Sequence, residues 1–462
     1  MTPSLGVEIE FGAFAPGRPI GRSSHLPKVL LSKIQEQHRC VRSASKSSGV
    51  FTCGGQMYLE MDRFLEISSY PGTSPAAAMA AEDAAIEVLA GAAQAARLPE
   101  QGFALTCLAD DLTRTRDPEA VDEQPRHGHS MGYHVNLVLP TLTARHQQAF
   151  LSLAALLPEI TGPGGFVRDL DGQLRFRRDP RAAHVQLLTH QAAHYAGKPI
   201  LKMAEQAIAA HATRIQLTSF GWTPGRLDRR LRYGLLMLLA AACERGDLRS
   251  DFTVCDPLAT LHALPGQDVE YALRGTRRRA CRLRLLEVLL DEVLAPAAET
   301  VPWGSATLAS IRTVLEEVRA CRDVDEVALR VPLHWAIRQH VFSRLCAESG
   351  VRLPVHGVSA DALPSPEMLA RLALLSVLDQ DILCSRAREW MLGSVRGQRW
   401  THAEVFGRDP EAVRSVTEDR VPECTGRVGE RFEECVAAAA SVGAGEAGGQ
   451  RRAAVDWVAL NS

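Results

Sequence analysis

The sequence predicts an α+β fold, with strands gathered mostly before about Pro140 and helices after it. Three observations carry that expectation. Residues Leu5 to Phe14 alternate apolar and acidic side chains with the period of a strand. Ala76 to Ala96 is alanine-rich and follows Thr73, Ser74 and Pro75, a pattern that starts helices. From Ala144 onward, apolar residues recur with helical spacing.

In the first strand Val7, Ile9 and Phe11 point one way, Glu8 and Glu10 the other. Two carboxylates on one strand face repel each other unless a cation lies between them, and hard divalent ions take oxygen ligands. An edge strand with one wet face would read the same way. Gly54-Gly55 predicts a turn, followed by a strand that places Tyr58, Glu60 and Asp62 on one side, with Glu66 farther along. With Glu8 and Glu10 these residues form an acid-rich surface. It suits Mg²⁺ ions that bridge ATP phosphates, and it offers a carboxylate able to take a proton from an amine. The plainer account is a solvated strand face.

Gly102 to Ala109 and Tyr133 to Leu139 are the next expected strands, separated by a polar, mobile loop from Asp110 to Ser130. His134 and Asn136 share one strand face. His127, His129 and His134 lack a cysteine or carboxylate at ligand spacing, so a packed or hydrogen-bonded histidine is favoured over a transition-metal site. Helices are expected over Ala144–Leu157, Arg226–Arg245, Arg279–Leu294, Ala306–Val324, Leu333–Glu348 and Glu367–Met391. Short strands are expected between Phe166 and Leu188 and around Ile215–Ser219. Thr425-Gly426-Arg427 precedes a helix near Gly429–Ala440, and Trp457 lies in a last strand, Ala453–Leu460. An arginine beside a nucleotide neutralises phosphate, and a tryptophan stacks on a base. In isolation the two read as a surface arginine and a core tryptophan.

The chain has 462 residues, 46% hydrophobic and 23% charged, with a net charge of −2. That is long enough for a large and a small domain and gives no sign of a polyanion binder, so no nucleic-acid partner is expected. Its 11 cysteines include no C-x-x-C pair, which argues against a zinc module or disulfide framework and for a reducing, cytoplasmic setting. Apolar runs such as Tyr233–Cys243 are too short to span a bilayer, so no membrane partner is expected. No secretory signal is expected either. There is no G-x-x-x-x-G-K-[ST] loop and no strand-linked G-x-G-x-x-G. Use of ATP would therefore rest on metal and an acidic sheet.

These stretches, in this order, resemble the Pup ligase (PafA) and depupylase (Dop) family of glutamine synthetase-like carboxylate-amine ligases. Gly6-Val7-Glu8-Ile9-Glu10-Phe11-Gly12 matches its G-I-E-x-E-[FY]-G. Ser47 to Glu60 is similar to S-S-N-V-F-x-x-N-G-A-R-x-Y-x-D, one residue shorter, and Phe64-Leu65-Glu66 falls on H-P-E. His129 to Asn136 looks like N-S-Y-G-C-H-E-N, Asp251 to Pro257 like D-F-x-x-D-N-P, and Asp456-Trp457-Val458 matches D-W-V. The resemblance implies a curved antiparallel sheet cradling ATP and packed with helices over residues 1–395, and a small C-terminal domain over 396–462. It implies Mg²⁺ held by Glu8, Glu10, Tyr58 and Glu66, catalysis by Glu60, and ATP contacts from His134, Arg214, Arg427 and Trp457.

The implied reaction is ATP-dependent phosphorylation of a carboxylate, followed by attack of an amine to give an amide or isopeptide bond. The carboxylate donor would be a small Pup-like protein or a peptide ending in Glu or Gln. The acceptor would be a protein lysine or a small-molecule amine. A depupylase-like hydrolase and a non-catalytic nucleotide- or peptide-binding homologue are the alternative outcomes. The chain departs from the family in several places, among them Leu201-Lys202-Met203-Ala204-Glu205 where the family has N-T-R-D-E. Glu60 stands where the family has aspartate, Val135 replaces the glutamate of H-E-N and cannot bind metal, and Gln216 replaces the histidine of R-L-H after Arg214 and Ile215. The short interval between the first two acidic motifs is that of the ligases.

Overall fold

The computed structural model describes residues 3–14, 25–43, 48–60, 64–107, 131–139, 142–168, 174–190, 197–203, 213–246, 248, 252–348, 350–353, 364–384 and 386–397. Its strands, in chain order, are β1 (Ser4–Phe14), β2 (Val41–Arg42), β3 (Val50–Thr52), β4 (Gly55–Glu60), β5 (Phe64–Ser68), β6 (Ala104–Thr106) and β7 (Tyr133–Leu139). They continue with β8 (Gly165–Arg168), β9 (Leu174–Arg177), β10 (Val185–His190), β11 (Lys198–Met203), β12 (Thr213–Phe220), β13 (Thr253–Val254), β14 (Asp268–Leu273) and β15 (Thr276–Cys281). The helices are α1 (His25–Gln37), α2 (Pro75–Ala95), α3 (Ala144–Leu156), α4 (Arg226–Glu244), α5 (Pro257–His262) and α6 (Arg282–Leu289). After these come α7 (Ala295–Ala298), α8 (Gly304–Ala320), α9 (Val324–Arg330), α10 (His334–Glu348), α11 (Pro366–Asp379) and α12 (Arg386–Val395).

One ten-stranded sheet organises the described residues, in the order β10-β11-β12-β7-β1-β5-β4-β3-β2, with β6 pairing the far end of β1. Every pair is antiparallel except β10 with β11. The predicted alternation in β1 is realised: Val7, Ile9 and Phe11 are buried, while Glu8 and Glu10 are only partly covered. Met57, Leu65, Ile67, Tyr133, Val135, Leu137, Ile215 and Leu217 continue the buried side across neighbouring strands. Helices α1, α2 and α4 pack on that side. A strand period of two thus divides the sheet into a dry face under helices and a polar face.

Helix α2 begins where expected. The Ser74 hydroxyl accepts from the Ala77 amide at 3.1 Å, and Pro75 opens the first turn. Its alanines let it lie close to β1 and α4. The predicted glycine turn is also present: Gly55 has φ +123, and a Cβ there would meet the Ser68 carbonyl at 2.2 Å. Buried Glu82 on α2 ties three elements together. It accepts from the Trp222 indole at 3.0 Å and from the Tyr233 hydroxyl of α4, and it pairs with Arg229 at 3.2 Å. The Tyr233 hydroxyl also meets that of Tyr133 on β7.

Three expectations need correction. Arg279–Cys281 belong to β15, and the helix starts only at Arg282, because these residues pair with Asp268–Glu270 of β14. The long helix over Glu367–Met391 is two, α11 and α12. The break falls at Asp381, whose carboxylate accepts from the Leu105 amide of β6 at 2.8 Å and from Leu383 at 3.1 Å, which pins the connection to the sheet. Strands are not gathered mostly in the first part, since β8 to β15 follow residue 140. Helices α1, α5 and α9 and strands β11, β13 and β14 were not expected. The loop Asp110–Ser130, Asp62, residues 398–462 of the expected C-terminal domain, and with them Arg427 and Trp457, lie outside the described residues.

Glu82→Ala would leave an indole, a hydroxyl and a guanidinium without their buried acceptor, a loss of about 3–5 kcal/mol by the cost of breaking a buried ion pair. The urea midpoint should fall accordingly at unchanged slope. A midpoint within error of the parent would show that this network does not hold α2 to the sheet.

Candidate functional site

Register places the acidic residues in rows that run across the strands on the polar face. Glu10 of β1 opposes Glu66 of β5, and Glu66 opposes Tyr58 of β4. In the adjacent row Gln56, Ser68, Glu8 and His134 stand opposite one another across β4, β5, β1 and β7. The next row continues through Gly6, Asn136, Gln216 and Lys202. Glu60, at the end of β4, shares the side of Tyr58 and acts electrostatically on Glu66. The sequence placed these side chains on strand faces; the pairing brings the faces together.

Ligand atoms of Glu8, Glu66 and His134 all lie within 4.8 Å of one another. This is the one such group of three or more histidine, cysteine or acidic side chains among the described residues. His134, assigned from the sequence to ATP, therefore sits among the carboxylates, with its Nδ1 3.6 Å from Glu8. Two carboxylates and an imidazole nitrogen form a mixed set able to hold a divalent ion. Glu10 and Tyr58 flank this group. The Glu10 carboxylate accepts from the Gly132 amide at 2.6 Å, and the Tyr58 hydroxyl hydrogen-bonds Glu66. A Cβ at Gly132 would meet Glu10 Oε1 at 2.7 Å and His134 Nε2 at 2.8 Å, so a larger residue there would displace one of those side chains.

The charge is uneven. Glu66 is almost fully buried, and burial together with Glu8, Glu10 and Glu60 pushes its carboxyl well above the usual range. Burial, then Glu8 and Glu66, likewise pushes the Tyr58 phenol up, so it remains protonated. Glu8 is differently placed. The Arg214 guanidinium donates to one of its oxygens at 2.6 Å, and the Gln216 amide donates to the other at 2.6 Å. Arg214 and Gln216 also donate to Asn136 Oδ1, at 2.9 and 3.3 Å.

Val135 stands apart from the polar face. It is fully buried on the helix-covered face, opposite to His134. Its lack of a carboxylate thus leaves the composition of the polar face unaltered. Arg181 was missed. It is buried beside Glu10, its guanidinium bonding the carbonyls of Thr218 and Met131, and burial lowers its pKa, against an opposing pull from Glu10. No sequence signal marked it, because it sits in a short 3-10 turn, Pro180–His184, that only the fold carries under the site.

A raised folded-state pKa makes the stability supplied by Glu66 complete below its ordinary value of 4.5 and progressively lost as pH climbs through the folded value. Glu66→Gln should therefore raise the melting temperature at pH 8 in metal-free buffer and change it little at pH 4. A lower melting temperature at pH 8 would mean that the buried carboxylate is already compensated.

No protein-family model and no curated protein sequence matches this chain. Solved structures do match. The complex of the prokaryotic ubiquitin-like protein Pup with its ligase PafA aligns with a TM-score of 0.62 at 17% identity, covering 96% of this chain and 84% of that one. The Pup ligase PafA in complex with ADP aligns at 0.59 and 16% identity, over 85% of this chain and 82% of that one. At such identities the likeness is one of fold: this chain has the mixed α/β fold of the Pup ligase PafA.

Proposed function

We propose that this protein is an ATP- and Mg²⁺-dependent carboxylate-amine ligase that forms an amide or isopeptide bond through an acyl phosphate. The observation that supports this most is the row of Glu10, Glu66 and Tyr58 beside Glu8 and His134, on one face of a sheet with the Pup ligase fold. Among the described residues, burial and the neighbouring acids Glu8, Glu10 and Glu60 raise the Glu66 carboxyl, and this fits a divalent cation. Glu8, Glu66 and His134 would hold it, with Glu10 and the neutral Tyr58 hydroxyl beside them. Such an ion supplies charge neutralisation for phosphoryl transfer.

The remaining chemistry falls to the chain itself. A carboxylate is a poor acyl donor and an acyl phosphate a good one, so ATP is consumed to activate the donor. Glu60 lies at the end of β4, on the side of Tyr58, and is the candidate base for the attacking amine. It is one methylene longer than the aspartate of the resembling family, so it reaches farther from its strand. Arg214, together with Arg427 and Trp457 of the proposed C-terminal domain (residues 396–462), is assigned to the nucleotide. The PafA structures are complexes with Pup and with ADP. By analogy we assign the donor to a small Pup-like protein or a peptide ending in Glu or Gln, and the acceptor to a protein lysine or small amine. Among the described residues no helix is long and apolar enough to cross a membrane.

The test is product analysis with Mg-ATP, glutamate-ended peptides and a panel of amines. ADP should accumulate only when donor and acceptor are both present. Glu60→Ala should slow it by about 10²–10⁴-fold, the usual range for loss of a general base. Amide cleavage without ADP formation would overturn the ligase reading in favour of a hydrolase.

A further inference from the structure

We propose that strand β15 is a docking edge, which takes an extended acidic peptide segment of a partner protein as an added strand.

The hairpin of β14 and β15 turns at Arg274-Gly275, whose φ angles are +51 and +75. Two left-handed residues between antiparallel strands make a two-residue hairpin, and such a turn fixes which residues bond across it. Leu273 and Thr276 flank the turn as a hydrogen-bonded pair. The pairs alternate from there, so Arg277, Arg279 and Cys281 belong to the non-bonded ones. Their backbone N–H and C=O groups therefore point away from β14. The other side of β14 agrees: Glu270, opposite Arg279, turns its carbonyl to the Cys255 amide at 3.0 Å. Strand β15 is the last of its three-stranded sheet, and among the described residues no backbone group bonds its outer edge.

This edge is basic. Thr276, Arg277, Arg278 and Arg279 are all exposed. Residues 268–281 hold four arginines and two acids, in a chain of net charge −2. Both acids lie on β14. Glu270 pairs with Arg277 at 3.3 Å, and Arg279 donates to the Asp268 carbonyl at 3.2 Å. The Arg277 side chain is 76% exposed, so its ion pair contributes little and exchanges readily for another carboxylate. Arg277 and Arg279 share one side of the strand and Arg278 takes the other. An added strand with an acid at every second position sets its carboxylates beside Arg277 and Arg279.

Charge and hydrogen-bonding chemistry select the occupant. A second copy joined through β15 would set arginines against arginines, and like charges opposite one another destabilise a strand pair. A nucleic-acid backbone brings phosphate acceptors but no matching row of donors for the outward carbonyls. An extended peptide brings both donors and acceptors, and its acidic side chains match the arginines.

The experiment is fluorescence anisotropy of a labelled, capped heptapeptide that alternates glutamate with valine, titrated with the full chain. The parent should bind it, more tightly at low salt than at high salt, and should not bind the same peptide with lysine in place of glutamate. Arg279→Ala removes a side-chain charge. Arg279→Pro also removes the outward N–H, at an edge position that tolerates proline. The alanine variant should weaken binding about two- to fivefold, the size of one exposed ion pair. The proline variant should weaken it about tenfold further, through the lost strand hydrogen bond. Arg277→Ala and Arg277→Pro repeat the comparison if Arg279→Pro does not fold. Proline variants that match their alanine counterparts would overturn the added strand. So would a parent that ignores the acidic peptide, which would leave the arginines as guards against edge pairing, or one that prefers a single-stranded oligonucleotide of equal charge.

Discussion

Unbalanced negative charge on one face of a sheet is the constraint from which the rest of this structure follows. Glu8 and Glu66 bring carboxylate oxygens within 4.8 Å of each other. At an effective dielectric near 20, two full charges at that distance repel by about 3 kcal/mol. Glu10 and Glu60 add to the load. The fold meets part of it from within. Arg214 and Gln216 cap Glu8, the Gly132 amide caps Glu10, and Arg181 lies beneath as a buried cation. Glu66 is left to hold its proton or to receive a cation.

Holding such a face in place requires rigidity behind it. Tyr133 follows Gly132 and precedes His134 on β7, but its ring is on the dry side. There its hydroxyl meets Tyr233, which meets Glu82, which in turn receives Trp222 and Arg229. Arg232 lies over the rings of Tyr133 and Phe220 and donates to the Gly221 carbonyl. The strand carrying His134 and Asn136 is thereby fastened to α2 and α4 by directional bonds as well as by packing. Buried hydrogen bonds of this kind tolerate little displacement, which suits a site whose ligands must keep their spacing.

Much of the architecture was legible in the sequence, and the parts that were not have identifiable causes. The β1 alternation, the Ser74–Pro75 helix start and the run Tyr133–Leu139 follow from local chemistry, and each element formed where the pattern put it. Strand β15 was hidden because Arg277, Arg278 and Arg279 are exposed on both of its sides, so no period of two marks it. The break between α11 and α12 was hidden because Asp381 acts through the distant Leu105. In the candidate site, Glu8 and Glu10 stood out by type and spacing, while Tyr58 and Glu66 were singled out as ligands only through the family resemblance. That Glu10, Glu66 and Tyr58 form one row is a matter of strand order, since β5 lies between β1 and β4. Likewise His134 joined the carboxylates, and Val135 left them, through the side of β7 each residue occupies.

The most direct test of the charge imbalance is to locate a divalent ion in crystals grown with Mn²⁺, using the anomalous scattering of the metal. The account predicts a peak bounded by Glu8, Glu66 and His134, with Arg214 still on Glu8. An acidic face that stays empty at saturating Mn²⁺, or a peak away from Glu66, would contradict it.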